Sequence, residues 1–257
     1  MYRILVCVKA VPNTTDVSFD ADGRLHRSNT ALQWNVADLA ALEAALTIKT
    51  QESTVTVLSM GPQKLETPLK ELLARGADNA VLISDTNLAG SDTYATARVL
   101  AQAVEKLGGF DLILCGKQSI DGDTGQVPGM LAAALNQPCL TNTENLTFDG
   151  RQLTADRVLE NGVQKLSVTL PCVVSVQPYA YNLRLPGILA MRKAQQKTVQ
   201  LFDLKSLELT PNECGQAGSL TKVIKIHPLL HSRRKGIKEH DLGTGTKGIL
   251  GLIKEVQ

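Results

Sequence analysis

The sequence predicts an α/β fold: a Rossmann-like parallel sheet flanked by helices, with a small antiparallel β excursion and an extended C-terminal arm. Three observations predict it. Aliphatic runs of strand length alternate with helix-length stretches of periodic apolar residues from Arg3 to Leu135. This alternation is the signature of βαβ units. Aromatic residues make up only 4% of the chain, so Val, Ile, Leu and Ala must fill the core, as they do where helices pack on a parallel sheet. After Pro138 the texture changes to short strands joined by turn residues, and from about Asn182 to a basic segment poor in apolar residues.

Taken in order, Arg3–Val8 (RILVCV) reads as a buried strand and Val36–Lys49 as a helix by its apolar spacing. Thr54–Ser59 is a second strand. Gln63–Ala74 is a second helix, closed by Gly76 as a C-cap. Ala80–Ile83 is a third strand, followed by a long helix, Ser91–Leu107, with Ser91 or Asp92 as its N-cap. Asp111–Cys115 (DLILC) is a fourth strand and Gly125–Leu135 the helix after it. Glu144–Phe148, Arg151–Leu159 and Val163–Thr169 read as short strands linked through Asp149-Gly150 and Asn161-Gly162, the latter a strong hairpin signal. Pro171–Gln177 (PCVVSVQ) is a buried strand expected to return to the main sheet. Beyond it come a short basic helix, Gly187–Lys197, an aliphatic strand, Thr221–Ile226, a basic run, Ser232–Lys238, and an amphipathic segment, Lys247–Val256. The expected division is an α/β domain over residues 1–181 and a basic, apolar-poor segment ending in an arm over residues 182–257. So little apolar surface is marginal for a segment folding alone. It reads as an arm packed on a partner subunit, the alternative being a poorly ordered tail.

Composition narrows the function classes. A formal charge of +2 argues against nucleic acid as the main partner, since such domains are usually far more basic. The five cysteines, Cys7, Cys115, Cys139, Cys172 and Cys214, form no CxxC pattern. Cys7, Cys115 and Cys172 lie in aliphatic runs and read as small buried residues, which fits a reduced, cytoplasmic setting. No apolar run approaches the roughly 20 residues of a membrane helix, and the N-terminal MYRILVCVKAVP reads as a strand rather than a signal peptide. No Ser/His/Asp or Cys/His cluster is visible. His227 and His231 are separated by a proline and lack a third partner, so no metal site is expected.

The chemistry-bearing segment is the turn from Cys115 to Gln126, where DLILC runs into GKQSIDGDTGQVPGM. In open parallel sheets ligands bind beyond the carboxyl ends of strands. Gly116, Gly122 and Gly125 let backbone approach a ligand. The N–H groups of the helix that follows form an anion site, and Thr124 and Gln126 add hydrogen-bond donors. Asp121 and Asp123 would repel phosphate and are better suited to capping or to ribose hydroxyls. The same pattern also fits an ordinary βα loop rich in turn residues. A second loop, Gly90 to Ala97 (GSDTYATA), puts Thr93 and Thr96 on one helix face at the same sheet edge. Gly243 to Gly248 matches GxGxxG by letter, but it follows no convincing strand and has no acidic residue about 20 positions on.

These pieces together resemble the β subunit of electron-transfer flavoproteins. The resemblance runs through ILVCVKAVPNT, LSMGP at Leu58–Pro62, RGAD at Arg75–Asp78 and GSDTYATA. It continues through CGKQSIDGDTGQ, LPCVVSV at Leu170–Val176 and NLRLPGI at Asn182–Ile188. It implies a heterodimer with an α subunit and electron transfer to an acyl-CoA dehydrogenase. One group of that family holds a structural AMP in the β subunit. The other, electron-bifurcating group holds a second FAD there, takes electrons from NADH and reduces ferredoxin or flavodoxin. IDGDTGQV at Ile120–Val127 is similar to the bifurcating group's IDGDTAQV, and Gly122 stands where the AMP group more often has Asp. Leu183-Arg184 likewise replaces the AMP group's Pro-Arg pair. By this resemblance the cofactor site, FAD with AMP as the alternative, comprises Cys7, Asn35, Met60, Asp92, Thr93, Thr96, Gly116 and the run Asp121, Gly122, Asp123, Thr124, Gly125, Gln126, Val127. Thr93 and Thr96 would face the isoalloxazine. Asn182–Lys197 matches the loop that docks on partner dehydrogenases, with Arg184, Ile188 and Met191 as its contact residues and Ile188 in place of a common anchoring Leu. Pro128-Gly129 reverses the usual Gly-Pro, which shifts a fixed φ by one position.

Two rivals belong to other classes. An ATP-hydrolysing or adenylylating enzyme would need a phosphate-gripping lysine or Gly-rich loop after the first strand, and Lys9-Ala-Val-Pro-Asn does not read as one. A stress-type nucleotide-binding module would carry ATP and no flavin.

Overall fold

The computed structural model describes residues 2–13, 18–19, 25–26, 31–222, 224 and 241–255. Along the chain run β1 (Arg3–Cys7), β2 (Ala10–Pro12), β3 (Ser18–Phe19), β4 (Leu25–His26), β5 (Leu32–Trp34), α1 (Val36–Ile48), β6 (Thr54–Met60) and α2 (Glu66–Ala74). They are followed by β7 (Asn79–Ile83), α3 (Thr93–Lys106), β8 (Leu112–Gly116), α4 (Val127–Ala134), β9 (Cys139–Phe148), β10 (Gln152–Leu159) and β11 (Gly162–Thr169). The chain continues through β12 (Cys172–Val176), α5 (Ile188–Gln195), β13 (Gln200–Phe202), α6 (Gly215–Gly218) and α7 (Leu242–Glu255).

Nine strands form one sheet in the order β11-β10-β9-β12-β8-β1-β6-β7-β13. The seven from β9 to β13 run parallel, and β10 and β11 extend the sheet as an antiparallel hairpin. The expected α/β class, parallel sheet and antiparallel excursion are therefore present. Side chains of β1 alternate strictly. Ile4 and Val6 enter a core shared with α1 and α2, while Leu5 and Cys7 enter a second core under α3 and α4. Alternation across a strand buried on both faces makes such a run continuously apolar. Helix α1 is lined with small residues, Ala37, Ala40, Ala41, Ala44 and Ala45, all buried, which lets it lie close on the sheet.

Several local expectations are adjusted. Strand β9 starts at Cys139, well before Glu144, because its first half pairs in parallel with β12 and only its second half joins the hairpin. The β10–β11 turn is Glu160-Asn161, since Gly162 already pairs with Leu159. The second helix begins as a 3-10 turn at Gln63–Leu65. Residues 182–222 are not detached from the α/β body: α5 packs on α2, and β13 adds to β7. By contacts the compact unit extends to Ile224, and residues 225–257 form a second unit. Of the strand expected at Thr221–Ile226, residues 221, 222 and 224 are outside regular structure and the others lie outside the described residues, as do His227, His231 and the basic run Ser232–Lys238. The GxGxxG letters at Gly243–Gly248 lie within α7, so they form no strand-to-helix turn. Among the described residues no helix is long and apolar enough to cross a membrane.

Candidate functional site

The strand order reverses between β1 and β8: β6 and β7 lie to one side and β12 and β9 to the other. A crevice forms at such a switch point beyond the carboxyl ends of the two strands. The residues leaving β1 and β8 line it. After β1 the chain forms a two-stranded ribbon, β2 with β5, and returns to Asn35 at the start of α1. After β8 it forms the loop 117–126, exposed from Ile120 to Gln126, before α4.

Two side chains from the first turn of α1 hold the crevice together. Asn35 is fully buried. It makes no cap to its own helix; its Nδ2 donates to the Gln118 carbonyl at 2.9 Å and its Oδ1 accepts from the Ile120 N–H at 3.3 Å. Asp38 is also buried and accepts from the Lys9 N–H at 2.8 Å and the Gly116 N–H at 3.1 Å. Burial pushes the Asp38 carboxyl up to about 7, against hydrogen bonds from Asn35, Lys9 and Gly116 that favour its charged form. Gly116 is dictated by this packing: a Cβ there would sit 2.2 Å from Asp38 Oδ1 and 2.7 Å from the Ala37 carbonyl carbon. Its hydrogen as side chain therefore serves the approach of α1.

The loop itself is shaped by internal polar contacts. Asp123 and Gly125 adopt φ of 52° and 63°, the left-handed region that Gly and Asp tolerate best. The Asp123 N–H donates to the Ser119 carbonyl at 2.8 Å, and its carboxylate accepts from Gln118 Nε2. Lys9 Nζ reaches across from β1 to Asp121 Oδ1 at 2.7 Å and to Ser119 Oγ at 3.4 Å. Burial opposes ionisation of Asp121, but the Lys9 hydrogen bond and charge, with the Ser119 hydroxyl, hold its carboxyl below the usual range. The pair is half-exposed, so its net worth is about 0–1 kcal/mol. Its role at the crevice is to offset the negative charge that would repel phosphate. Gly122 and Thr124 remain exposed, and the first turn of α4 presents N–H groups without intrahelical partners.

The second loop meets the first. Thr93 Oγ1 donates to Gln126 Oε1 at 2.9 Å, joining α3 to the start of α4. Cys7, Met60 and Val127 pack into the core beneath α3 and α4. Thr96 is half-buried one turn further along α3. Asp92 behaves as the N-cap: it accepts from the Ala95 N–H at 2.9 Å and also from the N–H and hydroxyl of Thr221 at 2.9 and 3.0 Å. Its carboxylate is thus engaged within the chain. The Cys115 thiol is pushed well up, first by its hydrogen bond with Cys7 and then by burial, so it is an inert packing residue. All five cysteines are free.

Sequence reasoning missed Asp38 and Lys9. The signal for Asp38 was present as an acidic residue on the apolar side of an Ala-rich helix. Lys9 is set aside by the sequence only as a phosphate-gripping lysine; its pairing with Asp121, 112 residues away, carries no local signal.

In the segment Asn182–Lys197, Leu185, Ile188 and Leu189 are 84%, 80% and 74% exposed. Met191 packs against the core under α1 and α2. Arg184 turns onto Glu43 of α1, with Nη2 2.7 Å from Oε1. Burial opposes ionisation of Glu43, but the Arg184 hydrogen bonds and charge, with the Arg75 charge, keep its carboxyl low.

Comparison with known proteins places this architecture. Residues 23–207 match the electron transfer flavoprotein domain. The electron transfer flavoprotein subunit beta of Megasphaera elsdenii is 39% identical over 233 residues, covering 87% of this chain and 86% of that protein. The chain belongs to the electron transfer flavoprotein β-subunit family. The caffeyl-CoA reductase-Etf complex subunit CarD of Acetobacterium woodii is 35% identical over 87% of this chain and 86% of its own length. The acryloyl-CoA reductase electron transfer subunit gamma of Anaerotignum propionicum is 37% identical over 87% of each. As an electron transfer flavoprotein β-type subunit, the chain serves electron transfer.

Proposed function

We propose that the crevice between β1 and β8 binds FAD, and that the chain pairs with an electron transfer flavoprotein α subunit to bifurcate electrons from NADH in the cytoplasm. The observation that carries this reading is the open loop 117–126 at the switch point. Its backbone is exposed, its one salt-bridged carboxylate is neutralised by Lys9, and Thr93 closes it from α3. The fit is physical: at the start of α4 the Val127 and Gly129 N–H groups, on either side of Pro128, have no partner in the helix and suit a pyrophosphate. The chemistry supplied by such an FAD is acceptance of a hydride from NADH and one-electron release, one electron to ferredoxin or flavodoxin and one through the α-subunit FAD to an acyl-CoA dehydrogenase.

The chain's own residues do the positioning. Asn35 and Asp38 hold the loop against β1. Asp121–Val127 line the phosphate side, Cys7 and Met60 underlie the crevice, and Thr93 and Thr96 border its α3 side. Residues 182–257 form the recognition loop and arm, with Ile188 as the apolar anchor. The names of relatives from caffeyl-CoA and acryloyl-CoA reductase systems support a partner that acts on CoA esters. The test is the nucleotide content of the purified heterodimer after denaturation. Two FAD per heterodimer is expected; one FAD with one AMP would sink the bifurcating reading and leave simple electron transfer.

A further inference from the structure

The exposed apolar side chains of Leu185, Ile188 and Leu189 project from a backbone that is gripped at its base. Arg184 Nε lies 2.9 and 3.0 Å from the two Glu43 carboxylate oxygens, and Nη2 lies 2.7 Å from Oε1. The Arg184 N–H also donates to Glu43 Oε2 at 3.1 Å, and the Arg184 carbonyl accepts from Arg75 Nη1 at 2.8 Å. Arg75 is in turn held by Glu71 at 2.8 and 3.1 Å. One residue is therefore fixed through its N–H, its carbonyl and its guanidinium, by α1 and by the end of α2. The Glu43 side chain is only 11% exposed, so this is not a loose surface pair. A forked guanidinium–carboxylate pair sets orientation as well as distance.

We propose that Glu43 is a positioning residue for partner docking: by holding Arg184 it fixes the backbone from which Leu185, Ile188 and Leu189 meet the acyl-CoA dehydrogenase. The inference rests on the docking role proposed above and assigns Arg184 to the clamp rather than to direct contact. The physical reason is preorganisation. A segment already ordered before encounter does not lose that freedom on binding. The Arg184 side chain is 44% exposed, so direct contact with the partner is the competing role, and the two roles give different double-variant results.

The experiment compares Glu43→Gln, Arg184→Ala and the double variant in the heterodimer. The readouts are KM and kcat with the dehydrogenase, nucleotide content, and amide exchange at residue 184. Positioning predicts a roughly tenfold higher KM in each single variant (about 1.4 kcal/mol), no further rise in the double variant, unchanged kcat and nucleotide content, and faster exchange of the residue-184 N–H, which Glu43 accepts. An unchanged KM in Glu43→Gln, or KM effects that multiply in the double variant, overturns the inference. So does unchanged exchange at residue 184. If Glu43→Gln fails to assemble, Arg184→Ala at its half-exposed position carries the exchange test. Wild-type transfer that never saturates with dehydrogenase overturns the inference through its premise, and the exchange rates tell that failure from failure of the clamp.

Discussion

Replacing Asp38 by asparagine isolates the electrostatics of the crevice. Asp38 is buried and titrates at about 7 instead of 3.8, because burial disfavours its charged form more than the hydrogen bonds from Asn35, Lys9 and Gly116 favour it. In the unfolded chain the same carboxyl returns to its ordinary value. Between these two values the folded protein binds more protons than the unfolded chain, so stability falls as pH rises from about 4 to about 7. A shift of about 3 units corresponds to about 4 kcal/mol, of which about 3 kcal/mol is lost between pH 5 and pH 8. Asp38→Asn has no proton to lose there. It also forfeits one of the two accepted N–H groups, a constant cost of about 1–3 kcal/mol. Urea unfolding of wild type and Asp38→Asn at pH 5 and pH 8 measures both. The wild-type advantage is expected to shrink by about 3 kcal/mol from pH 5 to pH 8, other groups cancelling between the two proteins. An advantage constant to within about 1 kcal/mol would refute the reasoning, because the carboxyl would then already be ionised at pH 5.

Gly116→Ala pushes a methyl group to 2.2 Å from Asp38 Oδ1 and 2.7 Å from Ala37 backbone. The expected loss is about 1–3 kcal/mol, read by thermal unfolding as a Tm lower by roughly 2–12 °C. Asn35→Ala removes the bonds to Gln118 and Ile120. Gel filtration of the heterodimer is expected to strip the β-site nucleotide while the far-ultraviolet circular dichroism stays native. Thr93→Val keeps the side-chain shape but removes the bond to Gln126; a roughly fivefold weaker nucleotide affinity by titration is expected, about 1 kcal/mol.

The elements that sequence reasoning recovered are those whose burial repeats locally. RILVC, TVTVLSM and LILCG carry their own strand signal because both faces of the sheet are covered by helices. The first half of β9 and all of β13 carried none. CLTNT follows a proline and reads as loop, and it becomes a strand only through β12, whose Val173 pairs with Cys139 far along the chain. QLF is three residues long and is held by β7. Asp92 shows the same limit at the site. Its local chemistry identified it as an N-cap, which it is, while its contacts with Thr221 depend on a segment over a hundred residues away.

Helix α1 explains why the two halves of the proposed function share one chain. Its first turn supplies Asn35 and Asp38 to the crevice, and Glu43, five residues on, holds Arg184 at the base of the segment proposed to dock. At 1.5 Å per residue these attachments are about 8 Å apart along one rigid element. The alanines between and beyond them, Ala40, Ala41, Ala44 and Ala45, are 0% exposed, so α1 cannot slide on the sheet without clashes in a close-packed interior. A helix so confined transmits position and little motion. The distance from the crevice to the proposed docking face is therefore set by the fold, which is what electron transfer between a site in this chain and a site in a partner requires.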